Sequence, residues 1–438
     1  MMHCEEQDLR KKSKDELIDD YIELFDEHEK LKKELRKYKN PNTPPSAHSH
    51  LKPDATPAGK KHKRGAPAGH PGTNRQKQAA DEQRLVTQTT CPNGHADVTV
   101  VGSRKQQIEE YPPDIKPKII DVIRHKLQCA KCGVVFWAKD GRTPLQGRFG
   151  MNLIVMTLLL KFVVRGVLRK TAGFLEYGFG FKITPASVNA IVSRASNAVQ
   201  TEYDALTQKI RTARIVYCDE TSFSVLGMKF WVWVFRTDSD VLLVVRHSRG
   251  NDVPKEILRI DFGGIVVCDG WRAYDCLVNA SIQRCWAHLL RKSFELSSVP
   301  GKHFHAKLKR LFNRVDRFNR KPRTEAERLR KYAQLTRGLQ ELMRHYARYP
   351  ECEGVANYVG NRLGEWFTCV ELEGVEPTNN FAEQAIRETV LVRKIIGAFR
   401  SMQGVKTYEV LASLIATWSF QKRDVGKELT RALSTGMC

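Results

Sequence analysis

Apolar residues change their spacing several times along the chain, and each change marks a different element. Leu17, Tyr21, Leu24, His28, Leu31, Leu35 and Tyr38 follow one another at alternating steps of four and three, an a/d seam over three heptads. The seam predicts a coiled-coil-like helix over 1–40, either paired with a second copy or packed on its own chain; only the first implies self-association. Residues 41–88 carry almost no large apolar side chain and are rich in Pro, Gly, Lys and Arg, so they cannot build a core. Helical periodicity follows over 147–212, with two helices flanking a turn from Gly178 to Pro185 in the manner of a helix-turn-helix.

At Arg214 the pattern becomes that of strands. IVYCDE, KFWVWVFRT and VLLVVRHS are β-branched and aromatic runs separated by short polar turns, which predict three strands joined by hairpins. A helical stretch near 251–259 and a buried strand in GGIVVCDGW come next. The order β-β-β-α-β is that of a ribonuclease-H-like α/β fold with a mixed sheet. From Leu289 the sequence is helical and does not return to the strand pattern, so 289–375 reads as a basic helical insertion between a first catalytic part, 213–288, and a last part, 376–438.

Charge sharpens this picture. The 438 residues hold 72 Lys and Arg against 49 Asp and Glu, a net charge of +23, which argues for a polyanionic partner. Between Leu289 and Tyr349 there are 17 basic and five acidic residues, about half of that excess. Residues 41–90 add eight basic against three acidic, with Lys60, Lys61, Lys63 and Arg64 clustered as a phosphate-gripping arm. At 41% hydrophobic content, folded cores are expected. The longest apolar run, Met151 to Leu160, stops at Lys161, short of a bilayer span, and the N-terminus has no apolar leader. The expectation is a cytoplasmic, nucleoid-associated protein without membrane contact.

Eleven cysteines without a leader read as reduced thiols or metal ligands. Cys91-Pro-Asn-Gly-His95 and Cys129-Ala-Lys-Cys132-Gly supply two ligand pairs on tight turns, suited to a tetrahedral structural Zn²⁺ in a small domain over 89–146. The alternative is that Cys129 and Cys132 are ordinary thiols.

Two apolar runs end alike, in Cys-Asp219-Glu and Cys-Asp269-Gly, each read as an Asp placed where the chain leaves the sheet. If the strands are neighbours, their carboxylates meet at one edge and supply hard oxygen ligands for Mg²⁺. Glu383 is the third candidate: Thr378 or Asn379 caps a helix, and Asn379, Asn380 and Arg387 share the face of Glu383, where they could orient its carboxylate or touch DNA phosphate. Three carboxylates could hold two ions, one activating an attacking oxygen and one stabilising the leaving oxygen. His288, Arg291, Lys292 and Trp271 are candidate DNA contacts, with structural packing the competing reading for His288, Trp271 and Tyr274.

The blocks Cys-Asp219-Glu-Thr, Cys-Asp269-Gly-Trp-Arg-Ala-Tyr, Cys285-Trp-Ala-His288 and Pro377-Thr-Asn-Asn-Phe-Ala-Glu383-Gln-Ala-Ile-Arg387 resemble those of the DDE transposases of insertion-sequence family sixty-six, as do the basic Gly69-His-Pro-Gly72 segment and the order of the upstream parts. In one departure, where the family's first knuckle reads Cys-Pro-x-Cys, Asn93-Gly94 fills the usual site and His95, one residue later, must substitute. The resemblance implies a catalytic triad of Asp219, Asp269 and Glu383 with two Mg²⁺ or Mn²⁺ ions. It also implies strand cleavage at element ends, then attack of the freed 3′-hydroxyl on target DNA. Duplex DNA is the implied partner, with a homodimer or larger homo-oligomer, and with room for accessory proteins. A structure-specific nuclease or resolvase of the same fold, or a DNA-binding protein without activity, would use the same residues differently.

Overall fold

The computed structural model describes residues 116–437 without a break, and isolated positions between 79 and 108. The heptad seam, the basic arm with Lys60, Lys61, Lys63 and Arg64, and the first zinc knuckle with Cys91 and His95 lie outside the described residues. The continuous stretch belongs to the second of two compact units, Pro113–Cys438. None of the helices formed by the described residues is long and apolar enough to cross a membrane.

This unit begins with a small antiparallel hairpin of β1 (Lys126–Gln128) and β2 (Val135–Trp137). Its turn carries Cys129 and Cys132 and is closed by Cys129 N–H donating to Val134 O at 2.9 Å. Gly133 completes the turn with φ +70°, a backbone region costly for any other residue. Four helices follow: α1 (Met151–Leu158, prolonged by a π-helical turn to Val163), α2 (Leu168–Phe179), α3 (Pro185–Ala198) and α4 (Gln200–Arg211). The predicted turn between α2 and α3 is present. Gly180 ends α2 in the left-handed region, Pro185 opens α3, and Thr184 Oγ1 accepts from Ser187 N–H.

The central feature is a six-stranded mixed sheet, with β3 (Ile215–Val225), β4 (Met228–Arg236), β5 (Val241–Arg246), β6 (Ile265–Cys268), β7 (Ser281–Arg284) and the short β8 (Ala398–Phe399). The order is β5-β4-β3-β6-β7, with β8 beside β3. The first three strands are antiparallel neighbours; β6 runs parallel to β3, and β7 parallel to β6. The predicted helix between β5 and β6 is α5 (Asp252–Leu258).

Alternation along the strands makes two cores. Val216, Cys218, Trp233, Leu242, Val244 and Cys268 face α1–α4 together with α12 (Met402–Phe420) and α13 (Val425–Met437). Tyr217, Phe223, Val232, Leu243 and Val267 face the opposite layer. That layer contains α6 (Trp286–Phe294), α7 (Val299–Asn319), α8 (Glu325–Tyr346), α9 (Pro350–Gly360), α10 (Thr368–Glu371) and α11 (Asn380–Ile396). Between β7 and α11 the described chain is helical, apart from its connecting loops. Thr324 opens α8 with a capping box to Glu327, and Trp286, Trp366 and Phe367 are fully buried beneath the helices.

One expectation needs correction. The chain does not leave the sheet at Asp219: β3 continues to Val225, because β4 pairs with it across the whole stretch from Tyr217 to Val225 and keeps the polar residues Glu220 to Ser222 in strand geometry. On the other edge of β3, β6 pairs only as far as Tyr217 and β8 begins only at Ser224. The result is a notch in the sheet beside Asp219 and Glu220.

Candidate active site

Asp219 and Asp269 are brought level by register. Ile215, Val216 and Tyr217 pair in parallel with Ile265, Val266 and Val267, a constant offset that sets the two acids side by side, two residues beyond the last pair. Both lie in phase with Tyr217 and Val267, on the face covered by α6–α11. Asp219 Oδ1 accepts the N–H of Glu220 at 2.9 Å, and Asp269 Oδ1 accepts the N–H of Trp271 at 2.8 Å, which fixes the loop after β6.

Arg284, at the end of β7, holds this loop from behind and is fully buried. Its Nη1 donates to the carbonyls of Asp269 (2.9 Å) and Trp271 (3.1 Å), while Nη2 and Nε reach Asp275 and Glu365, both at 2.6 Å. Gly270 lies against the ring of Tyr358 from α9; a Cβ there would overlap the ring, so the close approach requires glycine.

Glu383 comes from the first turn of α11, its N–H bonded to Asn379 O at 3.1 Å. The start of this helix is stapled to the sheet. The buried Asn379 donates its N–H to Cys285 Sγ at 3.1 Å and its Nδ2 to the carbonyl of Cys218 at 2.7 Å, next to Asp219; Trp286 N–H donates to Pro377 O at 3.0 Å. Asn379 is therefore a positioning residue rather than a DNA contact. Asn380 and Arg387 are exposed. Glu383 Oε1 lies 3.1 Å from Arg291 Nη2 and 3.6 Å from His288 Nδ1, both on α6.

The electrostatics tie the three acids together. Burial, then the negative charges of Glu220, Asp269 and Glu383, hold the Asp219 carboxyl well above the ordinary range. Among the described residues no Lys or Arg forms an ion pair with Asp219 or Asp269. A half-buried carboxylate pressed by three others, with oxygens still free to accept, is a donor set suited to a hard divalent cation. Burial and Arg291 push the His288 imidazole down, opposed by Glu383 and Asp269.

Glu220, the neighbour in sequence, points to the opposite face. Arg249 donates to its Oε1 at 2.8 Å and Tyr274 Oη to its Oε2 at 3.1 Å. Burial and Asp269 raise its carboxyl to about 6 despite those donors. Arg249 stacks between Trp231 and Trp271, 4.5 and 4.2 Å from the ring centroids, and its carbonyl accepts from Trp271 Nε1. Tyr274 is thus a core residue, whereas Trp271 is 40% exposed on the loop that carries Asp269. Lys292 is exposed, with its ammonium 4.2 Å from the Tyr358 ring.

Arg284, Arg249, Tyr358 and Gly270 support the site and were not singled out by spacing or composition. In sequence, Arg284 was only a basic residue before Cys285, in a stretch for which no strand was predicted. In the β1–β2 hairpin, the amides of Cys132 and Lys131 draw the Cys129 thiol below its ordinary value, which favours its thiolate form.

No curated protein matches the sequence. Residues 146–407 match the family described as Transposase IS66 family, a stretch that takes in the helices before the sheet, all three acids and the basic insertion. Since that match spans more than half of the 438 residues, the chain belongs to the IS66 transposase family.

Proposed function

We propose that the chain cuts DNA at element ends and joins the freed 3′-hydroxyl to target DNA, with Asp219, Asp269 and Glu383 as the catalytic acids on a ribonuclease-H-like sheet. The observation that carries this reading is the level placement of Asp219 and Asp269 on adjacent parallel strands, with the charge of Glu383 felt at Asp219. The strand order, with three antiparallel strands followed by two parallel ones, supports the fold assignment.

The three carboxylates would hold two Mg²⁺ or Mn²⁺ ions, which supply activation of the attacking oxygen and offset charge on the leaving oxygen. The protein's own part is placement. Arg284 and the Asp269 loop fix one carboxylate, Asn379 fixes the helix that carries another, and burial beside the sheet strengthens every charge interaction in the notch. Arg291 and His288 lie where a scissile phosphate beside Glu383 would meet them.

DNA is gripped by the insertion. On α7, Lys307, Arg310, Arg314 and Arg317 recur at three- and four-residue steps, all exposed, with no acid in the row. Arg314 also lines a shallow groove with Arg330 and Arg337 of α8. A helix face with one cation per turn suits a phosphate backbone, which is why we assign it target capture. The α2–α3 turn, the knuckle of Cys129 and Cys132, and the basic arm are assigned to the element ends.

The test is an assay with labelled element-end duplex and Mg²⁺ or Mn²⁺, comparing the intact chain with Asp269→Asn. Cleavage followed by joining to a second duplex, lost in the variant, supports the reading. Cleavage without joining points to a nuclease or resolvase, and metal-dependent cleavage retained by Asp269→Asn refutes the assignment.

A further inference from the structure

We propose that Cys285, His288 and Glu383 form a second, soft-metal site that takes Zn²⁺, and that filling it withdraws Glu383 from Asp219 and Asp269. The first half stands on the cluster alone; the second rests on the role proposed above for Glu383.

The thiol, imidazole and carboxylate ligand atoms all lie within 4.8 Å of one another. Two are set by one helix: Cys285 is the N-cap of α6, and His288 follows three residues later on the same face. The third is delivered by α11, whose N-cap amide already bonds to Cys285 Sγ at 3.1 Å, the kind of N–H support that a metal thiolate accepts. His288 Nδ1 is buried, 3.6 Å from Glu383 Oε1, and has no hydrogen-bond partner. A buried imidazole nitrogen without a hydrogen-bond partner, beside a thiol and a carboxylate, is available as a metal ligand.

Size agrees with this reading. Zinc bonds of about 2.3 Å to sulfur and about 2.1 Å to nitrogen and oxygen place tetrahedral ligand atoms roughly 3.4–3.6 Å apart. The cluster therefore has to close by about 1 Å, which the half-buried His288 and Glu383 side chains can do, each 28% exposed. Water would take the fourth position. Arg291 must release Glu383, and its side chain is 34% exposed and free to swing outward.

Ligand softness separates this site from the catalytic one. Magnesium takes oxygen ligands and has little use for a thiol or an imidazole, whereas zinc prefers both. Because Glu383 belongs to both sets, zinc would act as a competitor that abundant magnesium displaces poorly.

The full-length protein, stripped of metal, is titrated with Co²⁺, whose bond to a thiolate gives a near-ultraviolet charge-transfer band. Two contributions are expected, one removed by Cys129→Ser and the other by Cys285→Ser and by His288→Asn. Serine keeps an acceptor for the Asn379 amide; should Cys285→Ser nevertheless fail to fold, His288→Asn, with its partly exposed side chain, decides alone. A cobalt spectrum unchanged by these substitutions overturns the site. In a second arm, Zn²⁺ is added to strand cleavage run in Mg²⁺. Inhibition should need at least ~10-fold more zinc in Cys285→Ser than in the intact chain, and equal sensitivity would overturn the competition. Failure of the intact chain to cleave at all would count against the proposed function, while the cobalt spectra would still judge the site.

Discussion

Replacing Arg284 by Lys tests how the site is held in place. The arginine fork reaches four acceptors, the Asp275 and Glu365 carboxylates and the carbonyls of Asp269 and Trp271, whereas a lysine nitrogen in the same buried space satisfies one or two of them. Breaking a buried ion pair costs about 3–5 kcal/mol. Here the lower end applies, because Asp275 and Glu365 are 38% and 33% exposed and can rehydrate, and Arg362 supports both acids. Arg284→Met should therefore lose about 3 kcal/mol and Arg284→Lys about half of that. In a domain of this size, a loss of about 3 kcal/mol lowers Tm by roughly 5 °C or more. The catalytic effect should be larger than the stability effect, since freeing the Asp269 carbonyl lets its carboxylate drift, and a displacement of about 1 Å costs on the order of 100-fold in rate. Thermal unfolding and single-turnover strand cleavage, measured on the same preparations well below Tm, separate the two effects. Arg284→Lys with wild-type Tm and wild-type cleavage would refute the argument that this fork sets the geometry of Asp269.

Three further outcomes follow from the same structure. Asp219→Asn should abolish cleavage yet stabilise the metal-free protein, because it removes a half-buried carboxylate that ionises against three others; equal or lower stability by denaturant unfolding would contradict this. Glu220, raised to about 6 in the folded state, contributes stability that is present below the unfolded value of 4.5 and lost as pH rises through about 6, roughly 2 kcal/mol in all; in Glu220→Gln, stability should lose this dependence between those pH values. Replacing Arg310, Arg314 and Arg317 together by Gln should flatten the plot of log affinity for duplex DNA against log salt by roughly 0.9 for each phosphate no longer neutralised, and an unchanged slope would remove α7 from the DNA-binding surface.

Much of this architecture was legible because period and chemistry agreed. The β-branched runs of β3 to β6 found their strands, and the shared Cys-Asp ending anticipated that Asp219 and Asp269 stand together, since parallel pairing preserves a constant offset. What was not legible depended on partners distant in sequence. The continuation of β3 past Asp219 is imposed by β4, because a strand paired along one whole edge tolerates polar residues that would otherwise read as a turn. Glu220 looked no different from Asp219 in sequence, and only strand alternation, which turns it toward Arg249 and Tyr274, separates it from the carboxylate proposed as catalytic. Arg284 was one cation among many in a basic chain; its role emerges once β7 places it behind the Asp269 loop. Asn379 was read as a helix cap that could either orient Glu383 or touch DNA, and its buried side chain bonds to the backbone of β3.

The central claim is that Asp219, Asp269 and Glu383 share divalent ions. Manganese bound to the protein with an element-end duplex, located by anomalous diffraction, tests it most directly. The account predicts two manganese peaks coordinated by these three carboxylates, both lost in Asp219→Asn; manganese bound elsewhere, with the three side chains uncoordinated in a cleavage-competent complex, would contradict it.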